Sequence, residues 1–214
     1  QVKMRYVWDP FVRIFHWSLV IAFGIAFYTH ASEWDRITHT KAGYVAGGLI
    51  VSRIFWGFLC TGYAKFKSFP PNPEGAVRYA WKTLQGRSKP FVGHNPAGSL
   101  VIYLLLALGL ITVISGFLVF NDGWLFNAPD LLHAIHFYSA WTWLGLVCLH
   151  VLGVITESIV HKDNLIIAMF TGVKHDANQA VEPKNRESVS RETYRVFAIF
   201  GLPFRWALKL FGKK

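Results

Sequence analysis

The chain has 214 residues, of which 53% are hydrophobic and 16% are charged, and it carries a formal net charge of +10. This composition is too apolar for an ordinary soluble domain. The basic residues lie before the first apolar segment, between the second and third, and after the fourth, which is the distribution that sets membrane topology. We interpret the positive surplus as topology and contact with anionic lipid, and we expect no nucleic-acid partner.

Four apolar segments are long enough to cross a bilayer, which takes roughly 20 residues. They cover residues 11–29, 39–60, 99–120 and 131–159, and no proline interrupts them. The first segment lacks a small-residue cleavage site, so we read it as a retained span rather than a signal peptide. The sequence predicts an all-α integral membrane protein with a bundle of four transmembrane helices. The positive-inside rule places both termini and the loop between the second and third spans in the cytoplasm.

The segments outside the spans carry weaker signals. Residues 74–84 are predicted to form a short amphipathic helix at the interface, with Tyr79 and Trp81 as anchors. Asn95 is a plausible N-cap of the third span, with Pro96 at the first helical position. We divide the chain into a membrane domain, residues 1–173, and a cytoplasmic part, residues 174–214. The latter is predicted to be an exposed linker followed by an interfacial amphipathic helix.

Four histidines lie on the apolar segments at two depths. His136 and His150 are 14 residues apart on the fourth, so their side chains share one side of a helix about 21 Å apart along its axis. His16 lies early in the first segment, and His39 opens the second. Depth matching pairs His16 with His150 near the cytoplasm and His39 with His136 near the outer surface. This pattern predicts two b-type haems with two histidine ligands each, which favours electron transfer over oxygen binding.

Two other histidines compete for the outer pair. His30 also lies 14 residues after His16, so His30 and His136 form an alternative pair that periodicity does not exclude. His133 lies one turn before His136 and shares its face. We prefer His136 because only it keeps the 14-residue spacing to His150.

Two cations lie at depths suited to haem propionates. Arg53 is 14 residues after His39, so it faces the same side at the depth of the cytoplasmic haem, where a propionate is a natural bidentate partner. The alternative is that Arg53 extends to the cytoplasmic surface. Lys41 is a second candidate, for the outer haem, although it lies near the membrane surface.

A quinone site is predicted at the cytoplasmic end, where His94, Asn95 and His161 offer hydrogen bonds to a quinone headgroup, with Glu157 nearby. A proton-coupled reaction needs titratable groups, and histidine is the natural one near neutral pH. The alternative is that these residues only cap helix ends at the membrane surface.

Several short motifs together resemble the bacterial cytochrome b561 family, and most closely its branch of cytochrome b subunits of membrane-bound nickel–iron hydrogenases. The segments that carry this resemblance are VRIFHW at residues 12–17, THTKAGY at 38–44, RIFWG at 53–57, GHNP at 93–96, and the spacing of 14 between His136 and His150. The resemblance covers about residues 7–174.

The resemblance implies four helices, two haems b, electron exchange with the quinone pool and a place in the bacterial inner membrane. It also implies that the outer ligand on the second helix is His39 rather than His30, and it implies no catalytic residues of the chain's own. In that branch the partner is an iron–sulfur subunit on the outer face, and other members work with c-type cytochromes. An alternative function is a stand-alone superoxide:quinone oxidoreductase. The outer loops favour a redox protein partner, since they lack the excess of cations that would steer an anion.

Overall fold

Helices dominate the computed structural model, which describes residues 3–121 and 128–176. The elements in chain order are β1 (Lys3–Tyr6), α1 (Pro10–Tyr28), α2 (Arg36–Leu59), α3 (Pro73–Leu84), α4 (Pro96–Phe120), α5 (Pro129–His161), α6 (Leu165–Thr171) and β2 (Val173–Asp176). Two short 3-10 turns, Gly62–Ala64 and Phe66–Ser68, lie between α2 and α3.

Four of these helices, α1, α2, α4 and α5, are long and apolar enough to cross a membrane, which confirms the predicted spans. Two of their starts are set by capping. The Asp9 side chain accepts a hydrogen bond from Val12 N before Pro10, and Asn95 caps α4 in the same way before Pro96, as predicted. With 33 residues, α5 is about 50 Å long and exceeds the hydrocarbon thickness of about 30 Å.

The four spans pack in chain order. The backbone of α1 lies close to that of α2, α2 to α4, and α4 to α5, whereas α5 meets α1 and α2 through side chains. A buried cluster in the middle of the bundle joins one residue from each span, namely Phe15, Ile50, Leu106 and Trp143. We call the end where α1 and α4 begin and α2 and α5 end the basic end, and the other the opposite end.

A small cap closes the basic end. β1 and β2 pair antiparallel, with Tyr6 beside Val173, and the backbone N–H groups of Val7 and Trp8 both donate to Gly172 O. This ribbon is absent from the sequence prediction, because four-residue strands far apart in the chain carry little local signal. The predicted boundary between residues 173 and 174 therefore falls inside β2. The predicted amphipathic tail, residues 189–214, lies outside the described residues.

The helix predicted over residues 74–84 is present as α3, which packs on α4, and its position at the membrane interface stays a prediction. Trp81 is 64% exposed, as an interfacial anchor should be. The same role for Tyr79 is wrong, since its side chain is buried and its hydroxyl donates to Lys89 O at 3.1 Å. Tyr79 instead fastens α3 to the segment that follows it.

Candidate functional site

His16 on α1 and His150 on α5 face each other at the basic end. Their ring centroids are 6.4 Å apart and the ring planes are inclined by 56°. The Nδ1 atom of His16 is buried without a hydrogen-bond partner among the described residues. The structure therefore brings together the two residues that depth matching pairs.

His39 on α2 and His136 on α5 face each other toward the opposite end, with ring centroids 6.1 Å apart. His39 Nδ1 lies 2.7 Å from Ala26 O, and His136 Nδ1 lies 2.9 Å from Thr112 O. Because a carbonyl oxygen only accepts, each Nδ1 carries the hydrogen and each Nε2 keeps its lone pair. Metal-binding histidines are oriented by this kind of second hydrogen bond.

Both separations fit one metal ion held between two rings. An imidazole nitrogen lies about 2 Å from a metal that it binds, and the ring centroid lies about 1 Å further, so two rings on opposite sides have centroids about 6 Å apart. Residues 3–121 and 128–176 contain no group of three or more His, Cys, Asp or Glu side chains that fits a metal. A macrocycle with two axial histidines needs no such group, so the donor set fits haem.

Two glycines of α4 leave space for side chains of the neighbouring helices. A Cβ atom on Gly116 of α4 would lie 2.7 Å from Cε1 of His136, which is too close for any real contact. A Cβ atom on Gly109 would lie 2.6 Å from Ile50 and 2.8 Å from the indole of Trp143. Sequence reasoning missed both glycines, because the groups that they admit belong to other helices.

Trp143 separates the two histidine levels. It lies seven residues from both His136 and His150, nearly two full turns or about 10 Å from each. Its ring is buried and contacts Phe23 of α1 edge-to-face at 4.8 Å. The regular spacing of His, Trp and His along one face of α5 was an available signal for this residue.

The two competing histidines lie elsewhere. His30 is exposed beyond the end of α1, where its Nδ1 donates to Phe27 O at 2.5 Å and its ring lies against Phe27 and Trp141. His133 is also exposed. The ring that faces His136 across the bundle is that of His39.

Arg53 is buried rather than extended to the surface, with only 3% of its area exposed. Its Nη2 donates to Ala64 O at 3.1 Å, and the guanidinium lies over the Phe66 ring. Its Nη1 is buried without a partner among the described residues, so one hydrogen-bonding direction is left for another group. Lys41 is exposed and lies about 200° around α2 from His39, which gives it weaker geometric support as a propionate partner.

Comparisons with known proteins identify the family of this chain. Residues 7–172 match the family model described as prokaryotic cytochrome b561. The chain belongs to this family. No solved structure matches it significantly. The family and the four apolar helices make it a multi-pass bacterial membrane protein, a b-type cytochrome of electron transport that binds haem b.

The cytochrome has relatives with modest identity over most of their length. It is 25% identical over 209 residues to a probable Ni/Fe-hydrogenase B-type cytochrome subunit of Rhizobium leguminosarum bv. viciae, covering 78% of this chain and 87% of the relative. It is 24% identical over 219 residues to the protein of the same name from Azotobacter vinelandii, covering 80% and 91%. A probable Ni/Fe-hydrogenase 1 B-type cytochrome subunit of Escherichia coli K12 is 21% identical over 229 residues, covering 87% and 97%.

The three residues predicted for a quinone site separate into two places in the cytochrome. Asn95 is occupied as a cap, since its Oδ1 accepts from Gly98 N at 2.7 Å. His94 lies between the rings of Trp8 and Phe69. The amide oxygen of Asn95 is therefore engaged, and the ring of His94 is packed against two aromatic rings.

His161 belongs to a separate polar cluster at the end of α5. Its Nε2 lies 3.2 Å from the Glu157 carboxylate, 3.2 Å from Ser88 Oγ and 3.4 Å from the Tyr79 hydroxyl. Burial and the nearby Glu157 charge raise the pKa of Tyr79, so it remains a protonated hydroxyl. Glu157 and His161 lie seven and eleven residues after His150, which places all three on one face of α5. The polar cluster therefore lies on the face of α5 that carries His150, beginning about 10 Å further along the axis.

Proposed function

We propose that this cytochrome binds two haems b, one between His16 and His150 and one between His39 and His136, and carries electrons across the membrane between quinone and an extracytoplasmic redox protein. The observation that carries this proposal is the presence of two histidine pairs at two depths, each with the ring separation expected around one metal ion.

The chain's own residues would hold and insulate the cofactors. The bound haem supplies one-electron exchange at iron, and two histidines per iron leave no position for oxygen. Ala26 and Thr112 orient the rings of His39 and His136 through their carbonyl groups. Trp143 and Phe23 fill the layer between the two levels and exclude water from it.

The charge distribution supports an orientation with both termini in the cytoplasm. The segment between α2 and α4 belongs to the basic end and contains Lys65, Lys67, Arg78, Lys82, Arg87 and Lys89. The short connection between α1 and α2 at the opposite end carries Glu33 and Asp35, and Arg36 begins α2. Cytoplasmic loops carry the excess of lysine and arginine. The two-domain division, with residues 174–214 as a cytoplasmic linker and amphipathic tail, stays a prediction beyond Asp176.

We place the quinone headgroup at the basic end beside His161, with Glu157 taking part in proton exchange with the cytoplasm. The polar cluster of these residues lies on the same face of α5 as His150. Asn95 and His94 stay weaker candidates, because one is used as a cap and the other is enclosed by aromatic rings.

We propose the redox partner from the names of the relatives and from the charges at the opposite end. The relatives carry names of Ni/Fe-hydrogenase cytochrome subunits, so a hydrogenase is the first partner to test and a c-type cytochrome the second. The alternative of a stand-alone superoxide oxidoreductase gains no support from the described charges at this end. Arg36 and Lys41 are balanced there by Glu33, Asp35 and Asp130, which gives little steering of an anion.

Quinol reduction of single-haem variants tests the electron path. A quinol analogue should reduce the remaining basic-end haem of His39→Ala at the wild-type rate. It should fail to reduce the remaining haem of His150→Ala, because the haem nearest the quinone is then missing. The opposite pattern would place the quinone at the other end and overturn the proposed direction of the path.

A second comparison isolates the quinone contact from haem binding. His161→Ala and Glu157→Gln should keep both haems and be reduced more slowly by the quinol, whereas dithionite should reduce them as completely as wild type. His30→Ala is the matched control, since His30 is exposed at the opposite end. If quinol reduces both variants at the wild-type rate, the proposed quinone site beside His161 is ruled out.

A further inference from the structure

His94 is held in one orientation just before α4. Its ring lies 4.6 Å from Trp8 and 4.2 Å from Phe69, measured between centroids, so it is enclosed from two sides. Its Nδ1 is buried and has no hydrogen-bond partner among the described residues. A histidine fixed in this way has room for a partner from outside the described residues.

The same short turn holds both His94 and Arg53. His94 hydrogen-bonds the backbone of Tyr63, and Arg53 Nη2 donates to O of the next residue, Ala64. Two side chains from separate parts of the chain therefore attach to adjacent residues of the turn Gly62–Ala64. Each leaves one buried nitrogen unpartnered, Nδ1 of His94 and Nη1 of Arg53.

One of these two nitrogens can donate a hydrogen bond and the other can accept one. Nη1 of Arg53 is a donor, because the guanidinium stays protonated. The backbone of Tyr63 accepts from the His94 ring and Nδ1 has no partner, so we infer that the hydrogen lies on Nε2 and that the neutral ring offers a lone pair at Nδ1. Burial lowers the pKa of His94 to about 3, with further contributions from Arg53, Lys174 and His150. The ring is therefore neutral at pH 7 in the protein alone.

One donor beside one acceptor matches a carboxyl group that carries a proton. Its carbonyl oxygen accepts from Arg53, and its hydroxyl donates to His94. A buried polar group without a hydrogen bond destabilises the protein, so two such groups favour a bound partner at this place. Lys174 does not compete for it, since its Nζ donates to Phe91 O at 2.9 Å.

We propose that His94 and Arg53 together bind one carboxyl group of the basic-end haem, and that His94 shares the proton of that group. The inference rests on the proposed assignment of this haem to His16 and His150. It gives His94 a role beside the cofactor rather than beside quinone. Charged and titratable groups around His94 are Arg53 from α2, Lys174 from β2 and His150 from α5.

Infrared difference spectra between oxidised and reduced protein test this directly, with the haem carboxyl carbons labelled with ¹³C. The purified holoprotein should show a protonated carboxyl band that shifts with the label. His94→Ala should lose that band while both haems remain bound, and His94→Gln, which keeps an acceptor, should move it. His161→Ala should leave it unchanged, since His161 belongs to the separate cluster with Glu157.

The outcomes separate this inference from the proposed function. A label-sensitive band that is identical in wild type, His94→Ala and His94→Gln overturns the role of His94. A carboxyl band that depends on His94 but ignores the label also overturns it, since the bound acid is then a lipid or a side chain. Retention of both haems in His150→Ala would instead overturn the ligand assignment itself, whatever the infrared result.

Discussion

Replacing Gly116 by alanine should weaken the opposite-end haem without harming the helix that carries it. The new Cβ would lie 2.7 Å from Cε1 and 3.0 Å from Nδ1 of His136. Non-bonded carbon atoms approach to about 3.5 Å, so the ring must retreat by about 0.8 Å. That retreat pulls Nδ1 away from Thr112 O, which now lies at 2.9 Å. Alanine itself favours a helix over glycine by about 1 kcal/mol, so helix propensity predicts no loss.

The expected loss of haem affinity follows from how little a metal–ligand distance can vary. Ligand distances hold within about 0.2 Å, so a shift of 0.8 Å breaks or strains one axial bond. Disturbing the groups that orient a metal ligand costs 10–100-fold in affinity, or about 1–3 kcal/mol. The assay is the haem-to-protein ratio after purification, with potentiometric titration of the remaining haem.

Gly145→Ala is the matched control for this variant. Gly145 lies nine residues after His136, on the far side of α5, and a Cβ there meets nothing within 4 Å. The control should keep the wild-type haem content and both midpoint potentials. If Gly116→Ala also keeps them, His136 does not hold an iron in the position described here, and the reasoning from steric contact is refuted.

Four further predictions, at three residues, concern the basic end and the middle layer. Asp9→Ala should lower the free energy of unfolding by about 1 kcal/mol in thermal denaturation, because Asp9 caps α1 at Val12, whereas Asp9→Asn keeps the cap. Burial raises the pKa of Asp9, so wild-type stability should fall as pH rises through that pKa, and a slope that persists in Asp9→Asn would contradict this origin. Arg53→Leu should lower the midpoint potential of the basic-end haem by on the order of 60 mV, which is tenfold in the redox equilibrium, because losing a cation favours the ferric state. Arg53→Lys should lower this potential less. Equal potentials in wild type and both variants would rule out a contact between Arg53 and the haem. Trp143→Ala should lower the free energy of unfolding by about 3–5 kcal/mol, because the indole is buried. The loss should be far smaller in Trp141→Ala, whose side chain is 45% exposed. Similar losses in the two variants would count against a packed layer around Trp143.

Hydropathy and spacing were sufficient for the spans and for one of the two histidine pairs. The boundaries of α1 and α4 follow from local rules, because Asp9 with Pro10 and Asn95 with Pro96 are helix-start signals that act within a few residues. The pairing of His16 with His150 follows from depth, which a membrane fixes for every helix that crosses it. For the outer pair, depth left His30 and His39 open, and the choice of His39 came from the resemblance to the cytochrome b561 family. These ring pairs face each other in the structure, and their service as iron ligands stays a prediction.

The features that escaped prediction depend on contacts between distant segments. The ribbon of β1 and β2 joins residues about 170 positions apart, and Lys174 is buried under it instead of lying in an exposed linker. Gly116 has no local signature, because the reason for its small size is a ring on another helix. Tyr79 carries the pattern of an interfacial residue, yet the segment that follows α3 folds back and covers it.

Counting haem in single-histidine variants tests the central claim most directly. A pyridine haemochrome assay should give close to two haems b per wild-type chain. His16→Ala and His150→Ala should each lose the same haem, and His39→Ala and His136→Ala should each lose the other, as identified by midpoint potential. His30→Ala and His133→Ala should keep both. Loss of a haem in His30→Ala together with two haems in His39→Ala would contradict the account.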